Sequence, residues 1–179
     1  MGEHPLRLAA GMTLGDDHPI ALSLRERFPD VYICGIQFRG DLSVYIHPRG
    51  LLEICNFLKN DAEMDFDYLV NLCSVDDPAE AERFEVIYEL LSIRKRHQVR
   101  LKARIPERGA AMDSVVSVWK GANFLEREVF DMMGIRFNGH PDLRRILLPD
   151  DYDEGYPLRK DFPVEGRGWR DTFNDFLKT

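Results

Sequence analysis

The sequence predicts an α+β fold: one domain with a mainly antiparallel sheet covered by a few helices, continued by an extended, irregular C-terminal strap. Three observations predict it. Strand-like segments follow one another at hairpin spacing, three segments have helical period, and after Gly134 the chain turns rich in Pro, Asp, Arg and Gly. The expected boundaries are a core at residues 1–133 and a strap at 134–179.

Asp17, His18 and Pro19 supply a capping carboxylate and a proline suited to a first helical turn, and Ile20, Leu24 and Phe28 follow at helical spacing. Val31 to Gln37 and Leu42 to His47 flank Arg39-Gly40-Asp41 and read as a hairpin, so the Arg-Gly-Asp tripeptide is a turn rather than an adhesion signal. Pro48 opens a helix with Leu51, Leu52, Cys55 and Leu58 on one stripe and Lys59 at its C-terminal dipole. Phe66 to Val75, Phe84 to Ile93 and Val99 to Ile105 then read as three successive antiparallel strands.

In the third of these, Val99, Leu101, Ala103 and Ile105 alternate with Arg100, Lys102 and Arg104. The basic stripe reads first as a solvated sheet face and second as a dock for an acidic partner. From Ser114 the period becomes helical through Trp119 and then Asn123 to Met133.

Composition narrows the function classes. At 179 residues with 44% hydrophobic and 31% charged residues the chain is globular, and its size allows it to bury about 70% of its unfolded surface. The formal charge of -7 disfavours nucleic acid and anionic lipid. No apolar run approaches the roughly 18 residues of a membrane helix, and Met1 to Leu14 lacks the apolar stretch of a signal peptide. Cys34, Cys55 and Cys73 are widely separated on apolar segments, as expected of buried thiols without a disulfide or iron-sulfur cluster.

The segment Glu126-Arg127-Glu128-Val129-Phe130-Asp131-Met132-Met133 tests a catalytic reading. With a step of about 100° per residue, Leu125, Val129, Met132 and Met133 share an apolar stripe, and Glu126 and Glu128 lie about 200° apart on its flanks. An acid and base converging on one bond would need a third carboxylate from elsewhere. Arg127 and Asp131, four apart, read as a surface ion pair. His140 has no companion ligands at metal spacing, so it is expected to hold its loop by a hydrogen bond. A free-standing hydrolase using Glu126, Asp131 and His140, and a small regulatory binding module, are the rivals from other classes.

No nucleotide-binding or serine-hydrolase motif occurs. The strap, with Pro141-Asp142-Leu143-Arg144-Arg145-Ile146-Leu147-Leu148 and Gly155-Tyr156-Pro157-Leu158-Arg159-Lys160-Asp161-Phe162-Pro163, alternates arginines with apolar anchors, the residue types of protein interfaces.

At these residues the chain resembles the C-type subunit of respiratory complex I, the 30 kDa family of NADH-quinone oxidoreductase. The resemblance rests on Glu126, Arg127, Glu128, Asp131, His140, Arg144, Ile146 and Leu147, on Pro157 to Pro163, and upstream on Phe66-Asp67-Tyr68-Leu69 and Arg83-Phe84-Glu85-Val86 with Tyr88 and Leu90. Phe124, Phe130 and Tyr152 depart from it, standing where tryptophan, tyrosine and tryptophan are expected, and keep an aromatic ring.

The resemblance implies a non-catalytic assembly component of the peripheral arm, on the cytoplasmic side of the inner membrane, supporting electron transfer from NADH to quinone in a proton-translocating complex. It implies no cofactor in this chain; NADH, FMN, iron-sulfur clusters and quinone belong to other subunits. The expected main partner is the large D-type subunit of the quinone module, with the cluster-bearing B-type subunit nearby, and the absence of a second large domain before Thr179 points to a separate D-type polypeptide. The expected signature and interface residues are Glu126, Arg127, Glu128, Asp131, His140, Asp142, Arg144, Arg145, Arg159, Lys160, Asp161 and Phe162. The alternative is the equivalent component of an F420-, ferredoxin- or hydrogenase-linked membrane complex.

Overall fold

A computed structural model describes residues 9–168; His4 and the last part of the strap lie outside the described residues. A mostly antiparallel, six-stranded sheet and the helices beside it give the expected α+β class. The strands are β1 (Met12–Leu14), β2 (Tyr32–Phe38), β3 (Asp41–Ile46), β4 (Tyr68–Asp76), β5 (Phe84–Ser92) and β6 (His97–Ile105), in spatial order β1-β2-β3-β6-β5-β4. The last three are neighbours in chain order, as expected, and the short turn between β5 and β6 permits only antiparallel pairing. The join of β3 to β6 is parallel, with Val44 opposite Leu101. Periodicity marks strands but not which strand pairs with which, so this junction is not legible in the sequence.

The described residues form two compact units, one of residues 9–70 and 88–103, the other of residues 71–87 and 104–168. In the first, α1 (Pro19–Arg27) is capped by His18, whose side chain accepts from the Ile20 amide, and not by the expected Asp17 carboxylate. Asp16 instead accepts from the Tyr32 hydroxyl at 2.5 Å and the Gly35 amide at 2.6 Å. Gly35 must be glycine, because a Cβ there would lie 2.8 Å from the Gly15 carbonyl oxygen. Burial and Asp16 push the Cys34 thiol up to about 11, and Cys34 and Cys55 are buried and Cys73 half-buried, none of them in a disulfide.

The β2–β3 hairpin turns on Arg39 and Gly40, at φ 52° and 92°, the paired positive values of a turn whose twist matches the strands it joins. Pro48–Gly50 forms a 3-10 turn leading into α2 (Leu51–Asn60), which buries Leu51, Ile54, Cys55 and Leu58. Ile54 thus replaces the expected Leu52 on the inward stripe.

The basic stripe of β6 is not a free face. In the first unit Arg100 bonds Asp41 at 2.9 Å and Glu89 at 2.8 Å, and the Lys102 ammonium lies 3.4 Å from the Tyr45 hydroxyl. In the second, Arg104 reaches Glu85 at 3.1 Å and Glu80 at 3.5 Å. Acids from neighbouring segments pair with both arginines of the stripe.

The second unit also holds a parallel pair, β7 (Ala111–Asp113) and β8 (Arg136–Asn138), with Met112 opposite Phe137. Between them stands α3 (Ala122–Met133), preceded by turns from Val115 rather than by helix. β8 lies where irregular chain was expected: three residues are too few to display a period.

Candidate functional site

The α3 helix organises the strap. It stops at Gly134, which adopts the left-handed φ of 76° and returns its amide to the Phe130 carbonyl at 2.9 Å. Its buried face is Ala122, Glu126, Val129 and Met133, a run at i, i+4, i+7 and i+11, with Arg127 and Asp131 buried beside it. The inward face is therefore turned from the expected apolar stripe and contains charge, while Glu128 is exposed.

Arg127 and Asp131 do not form the expected surface ion pair. Arg127 donates to the carbonyls of Arg144 at 3.1 Å and Arg145 at 2.7 Å. Oδ2 of Asp131 accepts the three successive amides of Ile146, Leu147 and Leu148 at 3.1, 2.9 and 2.8 Å, and Oδ1 accepts from Arg145 at 2.9 Å. Arg145 also reaches the Tyr152 carbonyl at 2.9 Å. Burial pushes the Asp131 carboxyl up, but the three amides and Arg145 prevail and hold it below the usual carboxylate range. Two side chains of one helix thus secure the backbone of residues 144–148, which has no strand or helix of its own to satisfy it.

Glu126 points the other way. Its carboxylate accepts from the Ser114 hydroxyl and the Val115 amide, both at 2.7 Å. Among the described residues the one cationisable group against it is His140, whose Nε2 is 4.0 Å from Oε2; both side chains are 0% exposed. His140 is itself committed: Nε2 lies 3.1 Å from the Asn123 carbonyl and Nδ1 accepts from the Asp142 amide at 3.0 Å. With Nδ1 accepting from that amide, Nε2 is the nitrogen left to donate to the Asn123 carbonyl. His140 holds its loop by hydrogen bonds, as its sequence context predicted. Burial pushes Glu126 up to about 7, against the smaller opposite pull of Ser114 and Val115.

A third cluster ties down residues 158–162. Arg83 forks onto Asp76 at 2.6 and 2.7 Å and reaches Asp161 at 3.1 Å and Glu107 at 3.0 Å. The fork holds Asp76 and Asp161 below the usual carboxylate range, and Asp76 also accepts the Lys160 amide at 2.7 Å. Arg159 donates to the Met133 carbonyl at 2.8 Å, pairs with Glu107 at 3.2 Å, and lies over the Phe84 and Tyr156 rings at 4.9 and 4.5 Å. The Phe162 amide donates to the Arg159 carbonyl, and Arg167 lies over the Phe162 ring at 5.2 Å. Arg144 pairs with Asp142 at 2.8 Å on the surface.

The structure therefore sorts the expected site residues. Glu126, Arg127, Asp131, His140, Arg145 and Arg159 bond within this chain, Asp161 and the Lys160 amide join the Arg83 cluster, and Glu128, Asp142 and Arg144 lie at the surface. Sequence reasoning gave no role to Asp76, Arg83 or Glu107. Arg83 stood in the resemblance, and its unusual position beside a strand of alternating apolar residues was the available signal. The carboxylates of Glu126 and Asp131 are each engaged by separate donors and do not converge on a shared opening. Among the described residues no group of three or more His, Cys, Asp or Glu side chains is placed to hold a metal ion, and no helix is long and apolar enough to cross a membrane.

Residues 44–168, most of the chain and a span that contains every member of the three clusters, match the family model described as respiratory-chain NADH dehydrogenase, 30 Kd subunit. The chain belongs to this family. Similar curated proteins are the C-type subunits of NADH-quinone oxidoreductase from two bacteria. That of Roseiflexus castenholzii is 45% identical over 88% of this chain and 91% of the relative, and that of Geobacter metallireducens is 42% identical over 87% and 94%. Among solved structures, the trypsin-resistant fragment of Nqo5 is 35% identical, with a TM-score of 0.53 over 58% of this chain and 83% of the fragment. A component of the membrane-bound sulfane sulfur reductase, an archaeal respiratory membrane complex, is 25% identical with a TM-score of 0.70 over 83% and 86%. In this member of the 30 kDa family Arg127 and Asp131 fasten residues 144–148 to α3, and Asp76 and Arg83 hold the Lys160 amide and the Asp161 carboxylate.

Proposed function

We propose that this chain is an architectural component of the peripheral arm of NADH-quinone oxidoreductase, supporting electron transfer from NADH to quinone without a redox group or catalytic residues of its own. The observation that carries the reading is the family match across 44–168, which includes both the α3 fastening and the Arg83 cluster. In this reading the strap, residues 134–179, docks on the large D-type subunit of the quinone module, with the cluster-bearing B-type subunit nearby, on the cytoplasmic side of the membrane. The names of the relatives favour an NADH-quinone complex over an F420-, ferredoxin- or hydrogenase-linked one.

A mild-detergent pull-down of tagged chain from native membranes, with co-purifying proteins identified and electron transfer to quinone assayed, tests it. Recovery of the B-type and D-type partners in equal amounts with active dehydrogenase supports the reading. Recovery of a lone chain overturns it, and turnover by the purified chain alone would overturn the non-catalytic part.

A further inference from the structure

The strap is fastened by its backbone and leaves two leucines outside. The Leu147 amide ends on the Asp131 carboxylate at 2.9 Å, and the Leu158 amide ends on the Met132 carbonyl at 3.1 Å. Those acceptors are consecutive residues in the last turn of α3, so two separate strap turns meet the same helical turn. Neighbouring strap residues are tied to the same helix, by Arg127 and Arg145 near Leu147 and by Arg159, bound to the Met133 carbonyl, next to Leu158. Yet the two residues remain 60% and 56% exposed.

Fixing backbone this firmly while leaving bulky apolar groups in water gives little to the isolated fold. It does reduce the ordering needed on association, the condition under which an apolar side chain acts as an anchor in a partner's pocket. The charge around the first leucine describes that pocket. Arg144, exposed three residues before Leu147, is paired with Asp142 at 2.8 Å, so the exposed Asp150 and Asp153 a few residues beyond Leu147 leave the charge there acidic, which disfavours an anionic lipid surface and calls for cationic groups opposite.

We propose that Leu147 and Leu158 are paired anchors for a polypeptide partner that offers apolar pockets rimmed by lysine or arginine, and that Asp131 pre-sets the Leu147 turn. This rests on the reading of the chain as part of a larger complex, and assigns contact to the leucines while the buried signature charges serve to hold them.

The test uses the full chain expressed in its native membranes as Leu147→Asp, Leu158→Asp and the double variant. Wild type should recover its partner subunits, each single variant should recover at least ten-fold less, and purified variants should keep the wild-type thermal transition. Failure of wild type to recover partners would sink the functional reading; wild-type recovery matched by the double variant would sink the anchor proposal alone. If a variant fails to fold, Leu147→Cys and Leu158→Cys in a Cys73→Ser background are labelled with a maleimide. Labelling at least ten-fold slower in the assembled complex than in the free chain supports the anchors, and equal labelling overturns them. Protection by anionic vesicles alone, or by self-association of the pure chain, would also overturn the partner assigned.

Discussion

Nε2 of His140 stands 4.0 Å from Oε2 of Glu126, with both side chains closed to solvent. Both imidazole nitrogens are committed elsewhere, Nδ1 to the Asp142 amide at 3.0 Å and Nε2 to the Asn123 carbonyl at 3.1 Å. Burial pushes the Glu126 carboxyl up to about 7.

The sign of the resulting pH dependence follows by linkage. The folded-state value of Glu126 is raised above its ordinary 4.5, so between about 4.5 and 7 the folded chain binds a proton that the unfolded chain does not. Stability from this group is lost as pH rises through that window, by about 3 kcal/mol at most. His18, held below its ordinary value by burial, opposes it, since its contribution is lost as pH falls. Comparing Glu126→Gln with wild type isolates the carboxyl: the variant should gain stability relative to wild type at pH 8 and lose that gain by pH 5. Parallel stability curves from chemical denaturation across this range would refute the protonated state.

Asp131→Asn should cost about 3 kcal/mol, because one amide oxygen cannot replace a carboxylate that receives three amides and an arginine, and Arg145 loses its buried counter-charge. Limited proteolysis should cut first near residues 144–148. Unchanged cleavage there, with a small loss of global stability, would show that α3 is not what fixes the turn.

Gly134→Ala should destabilise by about 2 kcal/mol or more. The added Cβ must take a φ of 76° and would overlap the Tyr156 ring while pressing to 2.8 Å on the Arg159 guanidinium. The expected signature is faster amide exchange at residues 156–160, since those groups are displaced first. A variant with wild-type exchange and stability would contradict the close packing.

Arg83→Met should cost about 3 to 5 kcal/mol at neutral pH by orphaning Asp76, whose side chain is 0% exposed, whereas Arg83→Lys, keeping the charge without the fork, should cost less. Because Arg83 holds Asp76 below its ordinary 3.8, this stability is present above that value and lost as pH falls through the folded one. The gap between Arg83→Met and wild type should therefore narrow toward pH 3, as followed by denaturant midpoints. A gap independent of pH would assign the loss to packing instead.

What could be read along the chain was local. The spacing of Ile20, Leu24 and Phe28, the Arg39-Gly40 turn and the alternation of β6 each follow from residues a few positions apart, and the structure keeps all three with boundary shifts of a few residues. The same reasoning failed at His18, where a carboxylate was expected to cap α1, because an imidazole nitrogen can accept as well as a carboxylate oxygen can.

The sequence by itself determined the α+β class, the hairpin, the helices and the family, since periodicity, turn chemistry and a long set of fixed residues are properties of the chain. Only the tertiary structure decided that β3 and β6 run parallel, that β7 meets β8, and that Glu126, Arg127 and Asp131 are inside. A charged residue on a helix reads as exposed because burying it alone is costly. The groups that offset that cost here, Ser114, the Val115 amide, the Arg144 and Arg145 carbonyls and the amides of 146–148, lie 11 to 18 residues away and meet α3 only once the chain has folded.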